Sequence, residues 1–468
     1  MTPGPGKDAT GEARVREIDR VLARRAPEHD FSPTLDRVEA AVGYLGDPQR
    51  AYRVIHVAGT NGKTSTARMI ESLLRASGLR TGLFTSPPLT SPRDRIAIDG
   101  EPIAPEAFAQ AWAELEPILG LVDAAAAADG GPAVSVFEAY ALLAFAAFAD
   151  APVDVAVVEA GMGGAWDATN VVDSDVQVIT PISRDHEEWL GSDLAGIARE
   201  KAGILRPGGR AVIAAQRPEA AEVLAAAVSQ NGGTAAWEGR DFGVMGRDPA
   251  VGGQLVTLGG IERERQPVYR DLFLPLLGAH QAQNAALAVA AVEAFFAPPE
   301  AGGPHGLEAA VVAQGLAQVR SPGRLEVVRS SPTVIVDGAH NPAAAQALAE
   351  AVAETFMMPL VGLVGVLEDK DAEAILGLLE PLLVGVVVTR SSSPRSMDPE
   401  DLGRIAREVF GEDRVSVAER LDQGLALAME QADIDADGAP GLLATGVLAT
   451  GSLTIAGEVR LLLGHADR

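Results

Sequence analysis

The chain has 468 residues, 38 basic against 64 acidic for a formal net charge of −26, and no cysteine. That length exceeds one ordinary hydrophobic core, so two domains are expected and a third is allowed. The acidic balance repels nucleic acid and anionic membranes but leaves room for a local basic pocket that holds a small anion, and the lack of thiols excludes disulfides, a cysteine nucleophile and Cys-ligated zinc.

Residues 1–14, "MTPGPGKDATGEAR", are polar and rich in Pro and Gly with no apolar run behind them. They predict a disordered tail and no signal peptide. The longest apolar run, "YALLAFAAF" from Tyr140 to Phe148, is far short of a bilayer span, so a cytoplasmic protein is expected. Short β-branched runs then alternate with Ala- and Leu-rich helical stretches, the pattern of a parallel sheet covered by helices on both faces. Strands are predicted at Arg53–Ala58, Thr81–Thr85, Asp154–Glu159, Gln177–Pro181 and Arg210–Ala215. "VDVAVVEAG" is almost continuously apolar and reads as a central strand buried on both faces.

The segments "AAAAADGG" near Ala124, "APPEAGGPHG" from Ala297 and "ADGAPG" from Ala436 read as surface loops. A Pro-Gly pair in "RSPGRLE", Arg320–Glu326, marks the domain boundary. The first domain covers 15–320, a linker 321–326, and a smaller α/β domain 327–468. In the latter, strands are predicted at Thr333–Asp337, Leu360–Val366, Gly385–Thr389 and Leu442–Ala449.

Three places carry chemistry. "VIHVAGTNGKTSTAR", Val54–Arg68, reads as a strand, a tight turn over Gly59, Thr60, Asn61 and Gly62, and a helix over Lys63–Ser77. Turn N–H groups and the helix N-terminus converge there on an anion. Lys63 would reach the β- and γ-phosphates, and the hydroxyls of Thr64, Ser65 and Thr66 a phosphate or magnesium. The usual phosphate-loop spacing requires Gly where Val57 stands, so a Gly turn that merely packs a helix on a sheet is the alternative. Glu159 closes a buried strand, where a bare carboxylate is costly and a divalent cation relieves the cost. His186 and Lys201, the latter on a helix predicted over Leu194–Leu205, have by themselves no more than a structural reading.

The compressed "GTNGKTS" resembles the phosphate loop of the Mur ligase superfamily. "TSPPLTSPRDRI" from Thr85, "VVEAGMGGAWDATN" from Val157, "DHEEWLGSDLAGIAREKAGIL" from Asp185, "HQAQNAALA" from His280, "SPGRLE" from Ser321, "DGAHNP" from Asp337, "LEDKD" from Leu367 and "TGSLTIAGE" from Thr450 extend the likeness. Together they resemble the folylpolyglutamate synthase/dihydrofolate synthase family from about Leu35 to Glu458. The resemblance implies a P-loop NTPase-like first domain and a Rossmann-like second, in a monomer that takes no nucleic acid or membrane partner. It implies an ATP-dependent ligase that adds L-glutamate to the carboxylate of folate or dihydropteroate through an acyl phosphate, with two magnesium sites. Ser86 and Glu159 would hold the first magnesium on the ATP phosphates; His186 would bind the second, beside a Lys201 carboxylated by carbon dioxide. Asn284 would contact adenine, Arg324 the phosphates from a hinge, and Asp337 the ribose, with His340 close by. Leu35, Asp36, Arg37, Ser135, Val136, Phe137, Glu138, Trp166, Asp167 and Ala168 would face the pterin-bearing substrate, with Phe137 and Trp166 as stacking faces.

Two departures stand out: Pro88 where the family has His, and Ala165 where it has Arg. Both put the acceptor in question more than the ATP chemistry, since a missing guanidinium could loosen a carboxylate or release Asp167 from a salt bridge. The rival readings are a related ligase for a non-folate acid and, from another class, a P-loop kinase or switch.

Overall fold

In the computed structural model, which describes residues 5–26, 33–261, 268–297, 306–437 and 445–465, the most apolar strands take the centre of a large sheet. Its strands are β1 (Arg53–Ala58), β2 (Thr81–Phe84), β3 (Ile96–Ile98), β4 (Glu101–Pro102), β5 (Val155–Glu159), β6 (Val176–Ile179), β7 (Arg210–Ile213) and β8 (Thr234–Trp237). The order is β4–β3–β2–β5–β1–β6–β7–β8. β3 and β4 run antiparallel on one edge and the rest are parallel, so the sheet is mixed. Five of the six β1 residues and all of β5 are buried, as strands covered on both faces must be. The register sets Val57 opposite Glu159 and Ala58 opposite Ile179, which brings the C-terminal ends of β5, β1 and β6 together.

Helices cover the sheet. The helix Val136–Asp150 is apolar almost all round and buried from Glu138 to Phe148. A second, Pro105–Ala128, runs through the Ala-rich segment read above as a loop. Alanine has the highest helix propensity, so the run extends the helix until Asp129 and Gly130 stop it. The expected tail is corrected too: a helix spans Pro5–Leu22. Val15, Ile18 and Leu22, at helical spacing, are buried in one core with Phe108, Trp112, Leu115 and Leu119. Gly82, in β2, lies against the ring of Phe148.

The chain clusters into two compact units, with the change at Val319/Arg320; residues 248–254 and 274–282 also belong to the second unit. In that unit β12 (Glu326–Ser330), β13 (Thr333–Val336), β14 (Leu360–Val364), β15 (Leu383–Val388), β16 (Val415–Val417) and β17 (Gly446–Thr450) form a six-stranded sheet, which is numbered here after three strands given next. The order is β12–β13–β17–β14–β15–β16, with β12 antiparallel to β13 and the others parallel. A separate three-stranded sheet, β9 (Gly243–Ala250), β10 (Gly253–Gly259) and β11 (Val268–Leu274), was not anticipated. The first residues of the predicted strand Leu442–Ala449 and most of the loop from Ala297 lie outside the described residues. Among the described residues, no helix is long and apolar enough to cross a membrane.

One buried ion pair joins two of these helices. Arg37, in the helix Asp36–Tyr44, donates to Glu138 through Nε (3.3 Å) and a terminal nitrogen (2.7 Å). Glu138 also closes a capping box with Ser135, accepting from the Ser135 N–H at 2.6 Å. Removing one partner strands the other charge in the interior. Glu138→Ala is therefore expected to lower the unfolding free energy by about 3–5 kcal/mol, and Arg37→Met with Glu138→Leu to recover most of that loss. Urea titration of the three proteins checks it.

Candidate active site

The turn between β1 and the helix Lys63–Ala76 has the geometry that the glycines demand. Gly59 and Gly62 adopt φ of +145° and +84°. A Cβ on Gly59 would stand 1.9 Å from Thr180 Oγ1, and one on Gly62 2.6 Å from Asn284 Oδ1. Asn284 is thus beside the turn. Thr60 and Asn61 brace the turn from within. Their N–H groups donate to the Pro181 carbonyl at 3.1 and 3.2 Å, Thr60 Oγ1 exchanges hydrogen bonds with the Ser183 backbone, and Asn61 Nδ2 donates to Ser183 Oγ at 3.1 Å. Sequence reasoning missed Thr180 and Ser183, which lie about 120 residues away and carry no motif of their own.

Lys63 Nζ donates to the Thr60 carbonyl at 3.2 Å, at the mouth of the turn. Of the three hydroxyls that follow, Ser65 and Thr66 are buried. Thr64 is half-buried and its Oγ1 lies 2.9 and 3.0 Å from the two oxygens of Glu159. The Ser86 N–H donates to Glu159 Oε2 at 3.3 Å. The strand register therefore places a buried carboxylate, a hydroxyl and the start of the loop after β2 beside the phosphate turn. Among the described residues, no group of three or more His, Asp and Glu is set to hold a metal. A single carboxylate with hydroxyl oxygens, leaving most positions to water and substrate, suits magnesium.

Lys201 is buried at the end of the helix Leu194–Lys201, and its Nζ donates to the Gly59 carbonyl at 2.8 Å. Burial, helped by the charge of Lys63, pulls its pKa from 10.5 down to about 7; Asp185, Asp167 and Glu200 pull the other way. A lysine so placed has a large neutral fraction near neutrality and can act as a nucleophile. His186 adopts φ of +52° at the start of the helix Glu187–Leu190, and its N–H donates to Asp185 Oδ1 at 2.9 Å.

Where the resemblance expects the acceptor, the segment Gly161–Trp166 lies across the end of the Lys201 helix. Ala165 N–H donates to the Glu200 carbonyl at 3.0 Å and Trp166 N–H to Glu200 Oε1 at 3.3 Å, so Glu200 is a loop anchor. Gly164 needs to be glycine because a Cβ would meet the Glu200 and Lys201 backbone at 2.8–3.0 Å. The ring of Phe137 packs against Gly161 and that of Trp166 against Gly163, which brings the two half-buried aromatics to one loop. Leu35 is half-buried and Asp36 exposed, while Arg37, Ser135 and Glu138 are occupied with one another and Val136 is half-buried.

Asp167 and Ala168 are buried. Asp167 accepts from Met162 N–H (2.8 Å), Thr169 N–H (2.9 Å) and Thr169 Oγ1 (2.5 Å). Desolvation nonetheless pushes its pKa up, against those hydrogen bonds. Asn170 holds the loop's other end, donating to the Ala165 and Gly203 carbonyls at 3.0 and 3.2 Å, and Arg206 in turn clasps Asn170. Ala165 itself is exposed. Loss of Arg there does not release Asp167, because main-chain donors and Thr169 hold it. Pro88 is half-buried in the loop after β2.

The second unit has a cluster of its own. Asp337 Oδ2 accepts from Leu325 N–H and Oδ1 from Ala339 N–H, both at 2.8 Å, so one carboxylate organises the turns before β12 and after β13. Arg324 lies beside Gly338, and His340 Nδ1 donates to the Gly338 carbonyl at 2.8 Å. The helix Pro342–Thr355 is capped by Asn341, not by Asp337. The expected linker is thus tied into this unit.

Comparison with known proteins identifies relatives over nearly the whole chain. The Mur ligase middle domain matches residues 135–292 and the Mur ligase glutamate ligase domain residues 323–452. A dihydrofolate synthase/folylpolyglutamate synthase of Mycobacterium tuberculosis is 49% identical over 467 residues, covering 97% of this chain and 94% of that protein. Among solved structures, Mycobacterium tuberculosis folylpolyglutamate synthase complexed with ADP superposes with a TM-score of 0.92 at 48% identity, covering 98% of this chain and 100% of that one. An FPGS–AMPPCP–folate complex gives 0.80 at 31% identity, covering 96% and 99%.

The lowered pKa of Lys201 makes a signed prediction. Above about pH 10.5 the lysine is neutral both folded and unfolded and its burial carries no charge penalty. Between about pH 10.5 and 7 the unfolded chain binds the extra proton, so stability falls as pH falls; below about 7 the full penalty remains. Lys201→Met should therefore raise the melting temperature most near pH 6 and least near pH 10, which melting curves across that range will test.

Proposed function

The chain belongs to the dihydrofolate synthase/folylpolyglutamate synthase family of Mur ligases, an acid–amino acid ligase group, and on that premise we propose how this chain's residues carry out ATP-dependent glutamate ligation. The observation that carries the reading is the meeting of the phosphate turn, the Thr64–Glu159 pair and the Lys201 amine at one edge of the sheet. The turn and the N-terminus of the helix Lys63–Ala76 cradle the ATP phosphates. Lys63 leaves the Thr60 carbonyl for the β- and γ-phosphates and stabilises charge without acting as a nucleophile. Glu159, Thr64 and Ser86 would hold magnesium, which neutralises negative charge on the phosphate oxygens.

The carboxylate of a folate or dihydropteroate attacks the γ-phosphate in line, giving an acyl phosphate and ADP. The amine of L-glutamate then attacks the activated carbonyl, forming an amide and releasing phosphate. Phe137 and Trp166 provide the apolar faces that orient the acceptor's ring system. Asn284 is the adenine contact at the turn. Lys201, partly neutral near pH 7, would take up carbon dioxide at Nζ and lose a proton to become a carbamate anion, which together with His186 would hold a second magnesium. Asp167 keeps its place without Arg at position 165, so that departure gives no reason to prefer a non-folate acid.

The test is ADP release in the presence of L-glutamate and a folate or dihydropteroate. Turnover that requires both co-substrates is expected, and Glu159→Gln and Lys63→Ala should each reduce it by about 10²–10³-fold. Phosphate release independent of glutamate would point to a kinase or switch instead.

A further inference from the structure

The acceptor loop has a support that none of the expected roles explains. His56 lies in the middle of β1, fully buried, three residues before the phosphate turn. Its Nε2 is 2.8 Å from Thr169 Oγ1. Thr169 Oγ1 is 2.5 Å from Asp167 Oδ1, and Asp167 Oδ2 receives the Met162 N–H and so closes the segment Met162–Asp167 on itself.

The direction of this relay follows from counting protons. Thr169 has one hydroxyl proton, and the carboxylate, which already accepts two backbone N–H groups, is the stronger acceptor. With Asp167 ionised, Oγ1 accepts from His56, which requires the Nε2–H tautomer and leaves Nδ1 with a lone pair. Nδ1 is indeed buried with no hydrogen-bond partner. The opposite direction would bury an Nδ1–H donor without an acceptor, the rarer and costlier defect. Burial, with Arg206 nearby, also holds the imidazole at about 3, far below its ordinary value, so the ring is neutral throughout the working range.

We propose that His56 is a positioning residue for the acceptor: through Thr169 it fixes the Asp167 carboxylate, and with it the Gly161–Trp166 loop that presents Trp166 and supports Phe137. The inference rests on the folate reading of that loop. It also means that one strand carries both the phosphate turn and the brace of the acceptor loop.

Two measurements test it. Selective ¹⁵N-histidine labelling, assigned with a His56→Gln variant, should show His56 neutral as the Nε2–H tautomer from about pH 5 to 8; an Nδ1–H signal would overturn the relay. In kinetics, His56→Leu and Thr169→Val should each raise the KM for folate about tenfold while leaving that for ATP within about twofold, and the double variant should be no worse than either single one. His56→Gln, whose amide N–H reaches the Nε2 position, should restore most of the loss. Equal increases in both KM values, or Gln no better than Leu, would reduce His56 to a general core residue. If His56→Leu does not fold, Thr169→Ser, which keeps the hydroxyl, against Thr169→Val makes the same comparison. Should the unaltered protein show no folate-dependent turnover, the functional reading fails on its own, and the tautomer still decides the relay.

Discussion

The structure depends on one juxtaposition: β1 and β5 run parallel in a register that ends both at the same level, Val57 against Glu159. Parallel strands deliver their carboxyl ends to one edge of a sheet, where helix N-termini also point. A turn rich in donors for an anion and a buried carboxylate for a cation therefore arise as neighbours, though 95 residues separate Thr64 from Glu159. That pair of surroundings is what the proposed magnesium-bound triphosphate calls for. β6 adds the third part, since its end braces Thr60 and Asn61.

Close approach sets the second layer. The Gly161–Trp166 loop touches the backbone of Lys201, whose amine reaches the Gly59 carbonyl. Acceptor loop, buried lysine and phosphate turn are consequently consecutive contacts in one unit. Asp167, the cap of a short 3-10 turn, and Asn170, within it, hold the two ends of that loop by side-chain hydrogen bonds to its main chain. The loop is positioned by hydrogen bonds to its backbone, which do not depend on the side chain at 165, an exposed residue whose Cβ lies close to Gly203.

Much of this was legible in the chain. Continuous apolar runs bounded by turns marked the central strands to within a residue or two, because burial on both faces leaves few alternatives. The phosphate turn, Glu159 and Lys201 were identified by motif, and the structure brings them together. Other features had no local signal. β9, "GVMGRDPA", contains glycine and proline and is mostly exposed, so neither propensity nor alternation marks it as a strand. The helix Pro5–Leu22 begins in residues whose Pro and Gly content suggested disorder, while its apolar stripe starts at Val15. A motif also tells which residues gather but not whom they bond: Thr60 and Asn61 turned out to brace the turn, and Arg37 and Glu138 to pair with each other, because their partners come from distant segments.

The path of the chain between the two units has a consequence for biogenesis. Residues 248–254 and 274–282 leave the ribosome early, yet they belong with a unit whose main body begins at Arg320. Residues 248–254 can pair early within the β9–β10 hairpin, but the rest of the unit they cluster with is made last. A cut in the gene at Val319/Arg320 would therefore part both segments from the remainder of their unit.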